Sequence, residues 1–189
     1  METRSIMIVG VGGQGTLLAS RILGNVLLRQ GFDVIVSEVH GMSQRGGSVV
    51  TYVRYGEKVC APIVDKGGAD TVLAFELLEA KRALPYLKPG GRMLVNTQQI
   101  DPMPVIMGNA AYPAGITDEL KEKSELTAVD ALSLARQAGN QKAVNVVLIG
   151  LLAKTTDIPF DVWTDVLAET VPAKFLEVNK QAFSLGYHA

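Results

Sequence analysis

The apolar residues of this chain switch repeatedly between the period of a strand and the period of a helix. Ile6-Met7-Ile8-Val9 is a short continuous apolar run, and Leu17 to Leu28 has the apolar spacing of a helix buried along one side. After Gly31-Phe32-Asp33, the run Val34-Ile35-Val36 reads as a second strand that closes a β–α–β unit; such units are right-handed and imply a parallel sheet. Ser48 to Tyr55 alternates, with Val49, Thr51, Val53 and Tyr55 on one face, and Gly56-Glu57-Lys58 turns it into Val59 to Val64. That is a hairpin pattern, with Pro62 placing its second strand at an edge.

Thr71 to Phe75 reads as a core strand, followed by a helix from Glu76 to Leu87 with Leu77, Ala80, Leu84 and Leu87 on one side. Pro89-Gly90-Gly91 stops it, and Arg92 to Asn96 is the next strand. Asp101 to Pro113 is punctuated by proline, with a short strand Val105-Ile106-Met107 expected at the sheet margin. A helix over Ile116 to Lys123, a last strand over Leu126 to Val129 and a helix over Ala131 to Ala138 follow. Lys142 to Lys154 is apolar nearly all round, which predicts burial on several sides or at a subunit contact, and Asn145 in its midst then needs a hydrogen-bond partner. Two helices end the chain, Asp161 to Thr170, capped by Asp157 or Asp161, and Ala173 to Leu185, with a stripe of Phe175, Val178, Ala182 and Leu185. There are no repeats, low-complexity runs or linkers. The expected architecture is α/β: one domain over residues 1–189, a Rossmann-like, mostly parallel sheet with helices on both faces and an inserted β-hairpin.

The first strand ends in Gly10-Val-Gly12-Gly-Gln-Gly15-Thr16 and a helix opens directly after it. In that setting the glycines permit a sharp turn, a close approach of backbone N–H groups to a phosphate, and tight helix–strand packing. The helix N-terminus adds unpaired donors and partial positive charge, so an anion is the natural guest. Thr16-Leu17 stands where a nucleotide triphosphatase loop needs Lys-Ser/Thr, which excludes that class. The plain alternative is a tight turn with no ligand. Glu38 stands near the place where a dinucleotide fold carries its ribose-binding acid. The segment after it, Val39-His40-Gly41-Met42-Ser43-Gln44-Arg45-Gly46-Gly47, is polar and glycine-rich, the make-up of a loop that faces a ligand or partner. His40 reads as a group that braces this loop rather than as a base.

Composition narrows the classes. With 189 residues, 48% of them hydrophobic, the chain lies at the apolar end for a soluble protein, which points to a covered subunit face. A net charge of −1 leaves no electrostatic footprint for nucleic acid or an anionic membrane. Val144 to Ala153 is the longest apolar run and is too short to span a bilayer; with no signal-like segment before the first strand, a cytoplasmic location is expected. Cys60 alone can make neither an internal disulfide nor a cysteine-ligated cluster, and His40 and His188 make a metal site unexpected.

Gly10–Thr16, Ser37-Glu-Val-His-Gly-Met-Ser-Gln-Arg-Gly-Gly-Ser48, Gly68-Ala-Asp70 and Phe75-Glu76 together are more specific than the glycines alone. The combination resembles the gamma domain of the 2-oxoacid:ferredoxin oxidoreductases over essentially the whole chain, and Asn96 with Pro104-Val-Ile-Met-Gly108 is most similar to members acting on indolepyruvate. The resemblance implies a subunit of an enzyme that oxidatively decarboxylates an aryl-2-oxoacid to the acyl-CoA and reduces ferredoxin. Thiamine diphosphate and 4Fe-4S clusters would reside in a larger alpha subunit. This chain would hold CoA at Gly10, Gly12, Gly13, Gln14, Gly15 and Thr16, with Ser43, Gln44, Arg45 and Gly46 towards substrate and partner. No residue is expected to be catalytic. The rivals are a free-standing nicotinamide-dependent reductase using Glu38, and a structural subunit whose glycine loop is empty.

Overall fold

The computed structural model describes residues 2–39 and 47–189, so the expectations for His40, Ser43, Gln44, Arg45 and Gly46 fall outside the described residues. Six strands form one sheet: β1 (Arg4–Val11), β2 (Asp33–Val39), β3 (Ser48–Gly56), β4 (Ala69–Ala74), β5 (Leu87–Asn96) and β6 (Glu125–Val129). Their order is β2-β3-β1-β4-β5-β6. Strands β1, β4, β5 and β6 pair in parallel, whereas β3 runs antiparallel to both its neighbours. The mixed, mostly parallel sheet with helices on both faces is therefore the architecture of this chain.

One face carries α1 (Thr16–Arg29), α5 (Ala131–Gln137), α6 (Val144–Ala153), α7 (Phe160–Thr170) and α8 (Leu176–His188). The other carries α2 (Leu77–Ala83) and α4 (Ile116–Lys123). Alternation along β1 divides its side chains between the two cores, Ile6 and Ile8 to the first and Met7 and Val9 to the second. Helix α1 returns the chain leftwards to β2 and α2 carries it rightwards to β5. The C-terminal ends of β1 and β4 thus flank the point where the strand order reverses, the position at which open α/β sheets form a binding crevice.

Five local expectations are corrected. No strand forms over Val59–Val64: both edges of β3 are already bonded, to β1 and β2, so no ladder remains for a hairpin partner, and Pro62 has no N–H to offer one. The antiparallel insertion is β3 alone, slipped between β1 and β2. Val105–Met107 is not a strand, because Met103–Ile106 forms the short helix α3, Pro104 fitting its first turn and Gly108, at φ 73°, its exit. The α2 helix gives way to a 3-10 turn, Leu84–Tyr86, at Pro85, and β5 begins at Leu87, before Gly90 and Gly91. Neither Asp157 nor Asp161 caps α7, which starts behind Pro159 with Asp161 inside its first turn; Phe175 lies in a 3-10 turn ahead of α8 and is exposed, outside the stripe.

Every residue of α6 is buried, and burial is achieved inside this chain: α6 lies on β5 and is surrounded by α1, α5 and α8. Its crossing with α8 is a contact of backbones. A Cβ on Gly150 would overlap the Phe183 carbonyl, and one on Gly186 would overlap the Val147 carbonyl.

On the other face, Glu119 of α4 binds Lys81 of α2 at 2.8 Å and Lys123 at 2.9 Å. These two ammonium groups lower its pKa from 4.5 to about 2. A depressed carboxylate contributes stability above its unfolded pKa and loses it as pH falls through the folded value. The melting temperature of a Glu119→Gln variant should accordingly lie below that of the parent at pH 7, with the gap closing between pH 4.5 and 2. Parallel thermal melts across that range check it, and a gap that does not change with pH rejects the linkage.

Candidate functional site

The glycine loop joins β1 to α1 at the strand-order reversal. Gly13 and Gly15 adopt left-handed backbone, φ 99° and 85°, which explains glycine at both positions. Gly10 serves packing: a Cβ there would come within 2.9 Å of the Phe75 Cβ, and it faces inward rather than towards a ligand. The Gly12 N–H is taken by the Gly47 carbonyl at 2.9 Å, so the chain re-enters the described structure against this loop, and Ser48 next to it donates to Glu79 at 2.5 Å. Thr16 is buried at the start of α1.

What remains unpaired is a set of backbone donors, of which those of Gly13 and Gly15 belong to cleft-lining residues. Among the described residues no acceptor takes the N–H of Gly13, Gly15 or Thr16. The N-terminus of α1 has no capping side chain and no acid in its first turn. The contrast within the chain is instructive, because α2 and α5 are capped by Glu76 and Asp130. The N-terminus of α6 at Val144 opens onto the same space, continuing from the 3-10 turn Gln141–Ala143; there Asn140 accepts from the Lys142 N–H and Asn145 from the Val146 N–H.

Between these ends lies a cleft of about 620 Å³. Gly13, Gln14 and Gly15 form one wall. The other is formed by Arg136 in the last turn of α5, with Gln141, Lys142 and Val144 leading into α6. Arg136 and Lys142 are exposed and stand in no ion pair among the described residues, and no carboxylate lines the cleft. Two helix N-termini, free loop N–H groups and two cations around one opening attract a polyanion. Oriented donors and positive charge can bind and position such a ligand; they supply no nucleophile or base.

Of the six loop residues expected at the site, Gly13, Gln14 and Gly15 line the cleft, while Gly10, Gly12 and Thr16 build the turn behind it. The Gln14 side chain is turned inward. Its Oε1 accepts from the Val11 N–H at 2.8 Å and its Nε2 donates to the Phe75 carbonyl at 2.9 Å. Asn145 has found its partner at the loop itself, donating to the Gly15 carbonyl at 3.3 Å. Its isolation in an apolar run was the one signal in the sequence that this helix reaches a polar site. Nothing local marked Arg136 or Lys142, which read as ordinary surface charges until the fold brings them opposite Gly13.

Glu38 does not stand where a dinucleotide ribose would need it. Insertion of β3 moves β2 one strand further from β1, about 4.8 Å, and Glu38 accepts a hydrogen bond from Ser20 of α1 at 3.1 Å. Among the described residues no group of three or more His, Cys, Asp or Glu is placed to hold a metal ion, and no helix is long and apolar enough to cross a membrane.

The chain belongs to the pyruvate ferredoxin/flavodoxin oxidoreductase family, which matches residues 5–189. Within that family it is similar to indolepyruvate oxidoreductase subunit IorB of Thermococcus kodakarensis, at 46% identity over 100% of this chain and 96% of that one. In fold it resembles the gamma subunit of a keto/oxoacid ferredoxin oxidoreductase from Geobacter sulfurreducens, with TM-score 0.73 and 23% identity, covering 98% of this chain and 96% of that one. It also resembles part of the 2-oxoglutarate:ferredoxin oxidoreductase of Magnetococcus marinus, a structure with 2-oxoglutarate, coenzyme A and succinyl-CoA bound. There the TM-score is 0.77 at 18% identity, over 100% of this chain and 31% of that one. The chain is a subunit of a 2-oxoacid:ferredoxin oxidoreductase.

Proposed function

We propose that this chain is the CoA-holding subunit of an enzyme that oxidatively decarboxylates aryl-2-oxoacids, indolepyruvate among them, to the acyl-CoA with reduction of ferredoxin. It works joined to a larger subunit that carries thiamine diphosphate and 4Fe-4S clusters. The observation that carries the reading is the cleft itself: Gly13 and Gly15 offer unpaired N–H groups opposite Arg136 and Lys142, with no carboxylate between them. CoA is a polyanion on a long flexible arm, so a subunit that grips its phosphates leaves the thiol free to reach a neighbouring subunit. The cofactors of the partner supply carbon–carbon cleavage and electron transfer. The residues of this chain bind, orient and present the thiol-bearing cosubstrate. Ser43, Gln44, Arg45 and Gly46, which precede Gly47 in the sequence, are assigned to the substrate and partner side by the family resemblance alone.

The test is anaerobic affinity purification of the tagged chain from its own cells, followed by assay. A co-purifying iron–sulfur and thiamine diphosphate subunit, with ferredoxin reduction that requires both indolepyruvate and CoA, is the expected outcome. A lone, colourless chain that binds NADH would overturn the reading.

A further inference from the structure

The two walls of the cleft are joined by a chain of side-chain amides. Gln14 and Asn96 both donate to the Phe75 carbonyl, each at 2.9 Å. On the loop side, Gln14 accepts from the Val11 N–H at 2.8 Å. On the far side, Asn96 accepts from the N–H of Ala131, the first residue of α5, at 3.2 Å. The link therefore runs from the end of β1, through the ends of β4 and β5, to the helix that presents Arg136. Phe75 and Asn96 are fully buried at its centre.

The chemistry of this link is restrictive. A carbonyl oxygen has two lone pairs, and here each is met by one amide N–H. Each amide donates with its nitrogen and accepts with its oxygen; an ionised carboxylate only accepts, a thioether replaces neither bond, and a serine hydroxyl, which can do both through its one oxygen, is too short to span both partners. Where the link is buried, at Phe75 and Asn96, such bonds hold their geometry closely.

We propose that Gln14 and Asn96 are positioning residues for CoA. Through the shared Phe75 carbonyl they set the separation between the loop donors and Arg136, without touching the ligand. The proposal rests on the CoA reading above. Gln14, expected from the sequence to bond the ligand, acts instead behind it.

The test uses the complete enzyme, this chain with its partner subunit, assayed well below its melting temperature. Gln14→Met keeps the length of the side chain and removes both hydrogen bonds; Gln14→Glu keeps the acceptor and removes the donor. Each should raise KM for CoA about tenfold, the worth of about one hydrogen bond, while KM for the 2-oxoacid and kcat at saturating CoA stay within about twofold. Asn96→Ser should do the same, and the double variant Gln14→Met with Asn96→Ser should cost little more than the worse single one, because both act through one carbonyl. Since Gln14 is half-exposed, its variants keep the test decisive if the buried Asn96 variant does not fold.

Arg136→Glu is the control that separates the two readings. If it raises KM for CoA while the Gln14 variants only lower the melting temperature, or lower kcat with KM for CoA unchanged, the relay is a structural brace and the proposal is wrong, with the CoA site intact. If Arg136→Glu and the Gln14 variants all leave CoA kinetics unchanged, CoA is not held in this cleft and both readings fall.

Discussion

Reversing the charge of the far wall, Arg136→Glu together with Lys142→Glu, should raise KM for CoA at least 100-fold and leave the fold intact. Hydrogen bonds to charged groups contribute about 1.5–3 kcal/mol each, and reversal adds repulsion to the loss of attraction, so two such changes comfortably exceed the roughly 2.7 kcal/mol that a 100-fold change represents. Stability should hardly move, because both side chains are exposed and stand in no ion pair among the described residues. The same electrostatics predict a salt signature. KM for CoA in the parent enzyme should climb as ionic strength increases, since charges at an open cleft are screened within about 10 Å at 0.1 M salt; in the double variant that slope should flatten or invert. Steady-state kinetics of the complete enzyme at low and high salt decide the matter. A double variant with parental KM for CoA would remove the cleft from consideration as the phosphate site.

The second large effect concerns the α6–α8 crossing. Gly150→Ala should destabilise by about 3 kcal/mol, and Gly150→Leu should yield no folded chain. The cause is geometric: the added Cβ of alanine already overlaps the Phe183 carbonyl, so the two helices must separate along their length, and every side chain on α6 is buried. Domains are stable by only about 5–15 kcal/mol in total, so opening this contact removes a large share. Gly24→Ala makes the informative contrast. Gly24 lies within α1, where a Cβ would meet only the Val36 Cγ2 at 3.4 Å. The gain in helix propensity, about 0.5–1 kcal/mol, should make that variant equal to the parent or slightly more stable. Thermal melts of both variants give the comparison, and a Gly150→Ala melting temperature equal to the parent's would show that the crossing is looser than its geometry.

How far the site could be read beforehand depended on sequence distance. The glycine loop was legible because its turn is set by neighbours in the chain: strand, left-handed glycines and helix lie within Arg4–Arg29. Its ligand chemistry was half legible, since a helix N-terminus announces an anion but not which side chains face it. Arg136 and Lys142 lie more than 120 positions from Gly13 in the chain and meet it only through folding. Gln14 shows the same limit. Its place in a glycine loop said nothing of the Phe75 carbonyl, 61 positions away, to which its side chain donates.

The sequence by itself determined the alternation of strands and helices, the mostly parallel α/β class, the loop at the end of β1 and the burial of α6, because each follows from side-chain period and from residues near in the chain. Tertiary structure alone decided that β3 enters between β1 and β2, since its two edges could pair with either neighbour or with Val59–Val64 and only the assembled sheet made the choice. It also decided that α6 is covered by α8 through two glycines rather than by another subunit, and that the Asn96 amide ties the start of α5 to the glycine loop. These are contacts between distant segments. Their energies depend on which groups are left without other partners once the whole chain has packed, a quantity that no local pattern contains.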